Sequence, residues 1–518
     1  MACFRITQNR NGAKDVGAEA VKLRAEMLVC WFAKLRRVCC WAAVPVFCAA
    51  TLGAAHAEKP RLLVLTDIGG DPDDMQSMRR LMLYANEFEI AGLIASASGT
   101  PRETGRETTR PELIRAIIGD YGAVRERLAR HASGYPTDEA LLRVVRAGSA
   151  KRDVSHIGKA YSTAGSRLII SAADAAASPL WVVIWGGAHD LAQALYDVRA
   201  ERSPEALAAF VAKLRVYAIA DQDAWRGRPG TGEWTRAQFP ELRYVEAGPP
   251  GMNSATSLFR GMYQNDSIGG GAPVVQLVRD PLIQLNQRAW VEANVRTGHG
   301  PLGADYPLVK QNPGSENNTV GVKEGDTPSW FFVLPNGLSD PEHPEYGGWG
   351  GRFRHESGGH YVDAEDEHWS GSADSAVRRK WTVARWREAY QNDFAARMDW
   401  CRAESYSAAN HNPVVVLNGD RSKDVRQLRV SSGASVSLSA AGTSDPDGDA
   451  LAYNWFVYHE AGSCEERVEL SGNGGRETSF VAPAVVSPCE LHVICEVTDD
   501  GLPRLYGYRR AVVTVQPK

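Results

Sequence analysis

The chain lacks an excess of either charge: 58 Lys and Arg stand against 62 Asp and Glu over 518 residues, a net charge of −4. Its cations are scattered rather than gathered in one stripe, so nucleic acid is excluded as a partner. Beyond residue 57 no apolar run reaches membrane-spanning length. Cysteine is scarce as well. Of nine, Cys3, Cys30, Cys39, Cys40 and Cys48 lie near the amino terminus, leaving Cys401, Cys464, Cys489 and Cys495. None has metal-ligand spacing. Cys489 and Cys495 fall on one face of an alternating run and cannot readily pair with each other. A Cys464–Cys489 bridge is open to the chain, and Cys495 reads as a buried thiol. A hydrophobic content of 44% with 23% charge is that of a soluble globular protein, and the length calls for two domains or more.

What is present begins with a leader. Lys34, Arg36 and Arg37 precede an apolar stretch from Val38, and Ala55-His56-Ala57 closes it, the order of a signal peptide cleaved after Ala57. Met27 is a better start for such a signal than Met1, which sets residues 1–26 apart as a candidate translation artefact. The mature protein is expected to be periplasmic or secreted, without stable membrane insertion.

Arg61-Leu-Leu-Val-Leu-Thr66 is a short continuous apolar run, the pattern of a buried parallel strand. A loop of Gly and Asp follows, then Met75, Met78 and Met82 at helical spacing, then Glu89-Ile-Ala-Gly-Leu-Ile-Ala, together a βαβ unit. Further strands are expected at 179–185, 214–220, 242–246 and 330–334, with a helix near Asp190–Val198. A long amphipathic helix is expected from Asp374 to about Ala403. After Asn410-His-Asn-Pro413 short strands alternate (414–417, 435–439, 452–458, 491–497, 511–515), with turn signals such as Asp445-Pro-Asp-Gly448. The fold class is therefore α/β, a mainly parallel open sheet flanked by helices over residues 58–409, followed by a small all-β immunoglobulin-like sandwich over 410–518.

The loop Asp67-Ile-Gly-Gly-Asp71-Pro-Asp73-Asp74 sits at the carboxyl end of the first strand, where open parallel sheets bind ligands. Asp71 could cap the helix, Pro72 suits its first turn, and Asp73 and Asp74 gain from its dipole. Capping explains one or two acids, not four. Four carboxylates so close repel unless they share a cation, and oxygen-only ligands favour Ca²⁺ or Mg²⁺ over zinc.

This loop resembles the signature of the nucleoside hydrolase superfamily. It is more similar still to a bacterial cellulose-binding-protein family with a nucleoside-hydrolase-like domain followed by an immunoglobulin-like domain, matched by Thr66-Asp67-Ile68 and Pro72-Asp73-Asp74. The resemblance continues through Trp185-Gly-Gly187, Ala220-Asp-Gln-Asp223, Gly298-His-Gly-Pro-Leu-Gly303, Glu324-Gly-Asp-Thr-Pro-Ser329 and Gly347-Gly-Trp-Gly-Gly351. It implies a Ca²⁺ site (Mg²⁺ as the lesser candidate) with Asp67, Asp74 and Asp326 as ligands, and Asp73 on a sugar hydroxyl. It also implies metal-dependent hydrolysis of an N-glycoside of a ribosyl or related sugar. The superfamily's water-activating aspartate falls on Gly69, so Asp71 is the substitute base. Noncatalytic binding of cellulose or another plant glycan is the alternative.

His189 and His299 are candidate acids for a leaving group. Asp221, Asp223, Glu324 and Trp349 are candidate substrate contacts, and Trp225 and Tyr346 candidate sugar-stacking walls. For several a plainer role competes: a loop cap for Asp221 and Asp223, a turn for Glu324, core packing for the aromatics. Asp190 could cap its helix, while Gly186 and Gly187 could let backbone approach a ligand. Asp445, Asp447 and Asp449 read as a β-turn before a Ca²⁺ site. The partner expected is a small nucleoside or sugar, or a polysaccharide.

Overall fold

The computed structural model describes residues 58–69, 72–97, 108–223, 229–248, 261–263, 282–308 and 321–518. The leader, Asp71 and Trp225 lie outside them. Strand β1 (Arg61–Thr66) is buried along its whole length. Its neighbours in the sheet are β2 (Glu89–Ala95), β3 (Val145–Ala147), β4 (Leu180–Ile184), β5 (Leu214–Ile219), β6 (Arg243–Ala247), β7 (Phe353–Ser357) and β8 (His360–Asp363). The order is β3-β2-β1-β4-β5-β6-β8-β7, parallel except for the β7–β8 pair.

Side chains of the central strands alternate between two cores. Leu62, Val64, Trp181 and Val183 enter one, and Leu63, Leu65, Val182 and Ile184 the other. Burial on both faces explains why these strands read as unbroken apolar runs. Because β1 is followed along the chain by β2 on one side but lies against β4 on the other, the strand order, not the strand direction, reverses between β1 and β4. A crevice opens at the carboxyl ends of strands flanking such a reversal.

Two expectations are corrected. Residues Trp330–Leu334, read as a strand, belong instead to the end of a buried helix, Thr327–Phe331, and the turn after it. A short apolar run does not separate a buried strand from a buried helix, and Pro328 in the first turn, after Asp326, favours the helix. The long closing helix is two, Ser375–Ala384 and Arg387–Trp400. At the break Arg385 pairs with Asp366 and Glu460, and the Trp386 ring lies 5.8 Å from that of Tyr508.

The carboxyl-terminal region is all β. Strands β9 (Arg426–Ser431), β11 (Ala452–Val457), β13 (Cys489–Thr498) and β14 (Tyr506–Gln516) form one sheet, and β10 (Ser435–Ser439) with β12 (Glu477–Val481) another. Both sheets feed one core, through Val436, Leu438 and Phe480 from the smaller and Trp455, Val493 and Val513 from the larger. The expected strand at 414–417 is reduced to isolated bridges at Val414 and Leu417. Cys464 and Cys489 are bonded, while Cys401 and Cys495 are buried free thiols.

On the opposite face of the larger sheet, Ile494 and Tyr508 join the core of the α/β part. Strands β13 and β14 are thereby buried on both sides while β9 stays largely exposed, and residues 58–518 form one compact unit. Among the described residues no helix is long and apolar enough to cross a membrane.

Candidate functional site

Helix Pro72–Leu83 follows the acidic loop, and positions 73, 76 and 80 share one of its faces at spacings of three and four. That face grips residues 321–326. Gln76 donates to the carbonyls of Pro307 (2.6 Å) and Gly321 (3.2 Å), and its Oε1 accepts from the Lys323 N–H at 2.6 Å. One turn on, Arg80 Nε lies 2.6 Å from Glu324 Oε2, both side chains fully buried. The distal acid Asp326 is thereby delivered to the first turn of the helix.

Asp73, Asp74 and Asp326 each place a carboxylate oxygen within 4.8 Å of the other two. Ca²⁺ binds oxygens at about 2.3–2.6 Å, so two ligands of one ion lie at most about 5 Å apart. The three acids have the donor chemistry and the spacing for such an ion. Thr66, the last residue of β1, donates its hydroxyl to Asp74 and fixes that carboxylate. The grouping differs from the expected one, since Asp73 joins Asp74 and Asp326 while Asp67 lies outside this trio.

Asp67 is buried and packs on the bare backbone of Gly186, where a Cβ would sit 2.7 Å from its carboxyl carbon. Gly186 follows β4, so this contact joins the carboxyl ends of β1 and β4. Lys323, which sequence reasoning missed, also enters. Its Nζ lies 3.9 Å from Asp73 Oδ2. Burial brings its ammonium down to about 8, against the opposing pull of Asp326 and Asp67. The only signal in the sequence is its position three residues before Asp326.

Asp223, beyond β5, is 3% exposed. Its Oδ2 accepts from the Ala188 N–H at 3.1 Å and from the Thr231 hydroxyl, while Oδ1 is buried without a hydrogen-bond partner. Burial raises its carboxyl well above the ordinary range, and Asp221 adds to the effect. Both Asp223 oxygens and the Ala97 carbonyl crowd Gly187 so closely that no side chain fits there. Ala220, at φ 55, turns the chain out of β5 toward these acids.

Several expected contacts have other employment. Asp221 accepts the N–H groups of Gly232 (3.2 Å) and Glu233 (2.6 Å), satisfying the start of helix Thr231–Gln238. Glu324 also accepts from the Tyr306 and Thr327 hydroxyls, so both its oxygens are taken by protein groups. Trp349 and Tyr346 are 3% and 4% exposed because β13 and β14 cover them. Arg510 of β14 donates to the carbonyls of Tyr346 (2.6 Å) and Gly347 (2.9 Å), which makes the Gly-Gly-Trp-Gly-Gly motif a seat for that sheet rather than a sugar wall.

His299 pairs with Asp399 at 3.2 Å, on the closing helix and not on the loop. His189 is fully buried just after Gly186-Gly187, and burial lowers its ring to about 4. A neutral imidazole accepts or donates a hydrogen bond but is no proton-donating acid at neutral pH. Asp190 accepts from the Ser149 N–H and the Thr163 hydroxyl, binding neighbouring segments together.

The family described as "Cellulose-binding Sde182, nucleoside hydrolase-like domain" matches residues 61–353, more than half of the chain. The chain belongs to this family. A second family, described as "Cellulose-binding protein Sde0182, C-terminal domain", matches residues 435–515. A solved nucleoside hydrolase-related protein from Saccharophagus degradans, described as associated with carbohydrate metabolism, is similar over 88% of this chain and 100% of its own. Identity to it is 32% and the TM-score is 0.70. The effector protein XOO4466 is similar at 13% identity over 67% of this chain and 95% of its own, with a TM-score of 0.29. The comparison with curated proteins finds no match. Within the Sde182 fold, the acidic trio sits at the expected end of the sheet.

Proposed function

We propose that the β1–β4 crevice binds a divalent cation, Ca²⁺ before Mg²⁺, and recognises a sugar unit there, in a protein that works outside the cytoplasm. The observation that carries this reading is the trio Asp73, Asp74 and Asp326 at the point where the strand order reverses. Asp74 is oriented by Thr66, and Asp326 is held by the docked segment 321–326. A bound Ca²⁺ supplies ligand positions for vicinal sugar hydroxyls. The cellulose-binding description of the family supports a carbohydrate partner, and together with the leader's composition it supports export.

The test is elemental analysis of the full chain after dialysis against millimolar CaCl₂. Retention of calcium that is lost in Asp326→Asn supports the site. Equal calcium in both proteins removes it from this crevice.

N-glycoside hydrolysis is the second reading, and Asp223 favours it. A carboxyl whose affinity for a proton is raised by burial is the kind of group that donates a proton to a leaving group. Release of base from a nucleoside panel, abolished in Asp223→Asn, would establish turnover.

A further inference from the structure

Three carboxylates and Asp67 converge on the crevice, and the protein has placed a cation of its own beside them. The Lys323 ammonium reaches Asp73 at 3.9 Å, and Asp73 shares its carboxylate cluster with Asp74 and Asp326. It is not there by chance of a flexible stem, for its side chain is only 10% exposed. Its backbone N–H is anchored to Gln76 at 2.6 Å, and the next residue, Glu324, is locked to Arg80. The amine thus hangs from a segment pinned to the helix that carries two of the three acids.

An ammonium is a compact point charge on a movable four-carbon stem. Within a few ångströms of a shared carboxylate it repels an incoming cation and already neutralises part of the charge that would attract one. We infer that Lys323 is a tethered competitor for the cation site: its ammonium rests on the acids when no ion is bound and must withdraw from Asp73 when a divalent cation enters. The site is thereby set to respond to high external calcium rather than to hold an ion permanently. This inference rests on the cation reading of the crevice.

The experiment is a calorimetric titration of CaCl₂ into the full chain and into Lys323→Gln, with Asp326→Asn marking the signal from this site. Lys323→Gln is expected to bind calcium at least tenfold more tightly than the wild type. Equal affinity in the two would overturn the competitor role while leaving the cation site in place. No Asp326-dependent binding in either protein would overturn both. A second readout needs no variant: acetylation of Lys323, followed by mass spectrometry of the wild type, is expected to rise when calcium is added. Acetylation that stays constant at saturating calcium would show that the amine does not withdraw, and would overturn the proposal.

Discussion

The carboxylate of Asp67 lies against Gly186, so closely that a methyl group added at position 186 would stand 2.7 Å from the carboxyl carbon. The obstacle is the whole Asp67 side chain, its Cβ at 2.8 Å as well as its carboxyl group, so Gly186→Ala is expected to displace Asp67. Overpacking of this kind costs about 1–3 kcal/mol. Calcium affinity should fall by about 10–100-fold, the usual cost of disturbing groups that support a metal site. Unchanged calorimetric affinity in Gly186→Ala would detach Asp67 from the site.

The buried pair Arg80–Glu324 fastens the 321–326 segment to the helix beneath it. Removing one partner of a buried pair strands the other, at about 3–5 kcal/mol. Arg80→Ala should lose that much in urea unfolding, and Arg80→Met with Glu324→Leu should recover much of it. A loss below about 1 kcal/mol in the single variant would contradict the clamp.

His131 gives the fold a response to acid. Its Nδ1 lies 3.0 Å from Nε2 of His411, whose Nδ1 is 3.0 Å from Asp447, so a chain of hydrogen bonds joins the α/β part to the sandwich. Burial, then the neighbouring His411 and Arg130, lower His131 from 6.5 to about 4, against the weaker pull of Asp447. The unfolded chain therefore takes up a proton in that window which the folded chain refuses, and stability contributed by neutral His131 is lost as pH falls from 6.5 toward 4. Relative to His131→Asn, the wild type should lose melting temperature across this range. Parallel curves would refute the assignment.

Asp223 has the opposite sign. Its carboxyl is raised in the fold, so the folded protein holds a proton that the unfolded chain releases near 3.8, and the cost of burying it grows as pH rises above that value. Asp223→Asn should gain stability over the wild type, by a margin that widens as pH rises above 3.8. A margin independent of pH would mean that Asp223 is ionised in the fold.

The sheet was legible because burial on both faces leaves continuous apolar strands such as Arg61–Thr66, and the acidic loop because four Asp in eight residues exceed what capping needs. Where the sequence left two roles open, one cause recurs. Trp349 and Tyr346 look like sugar platforms until the sheet that covers them is seen, and Glu324 looks like a ligand until Arg80, 244 residues earlier in the chain, is found beside it. Pairings at such separations leave no local pattern. Lys323 was missed for the same reason, since its partner Asp73 lies across the fold.

The most direct test is calorimetric titration of ribose and of cello-oligosaccharides into the full chain, once with millimolar CaCl₂ and once with a chelator. Binding of a saccharide only with calcium, lost in Asp74→Ala, is the expected result. Saccharide binding that is equally strong in the chelator would contradict a cation-assisted sugar site.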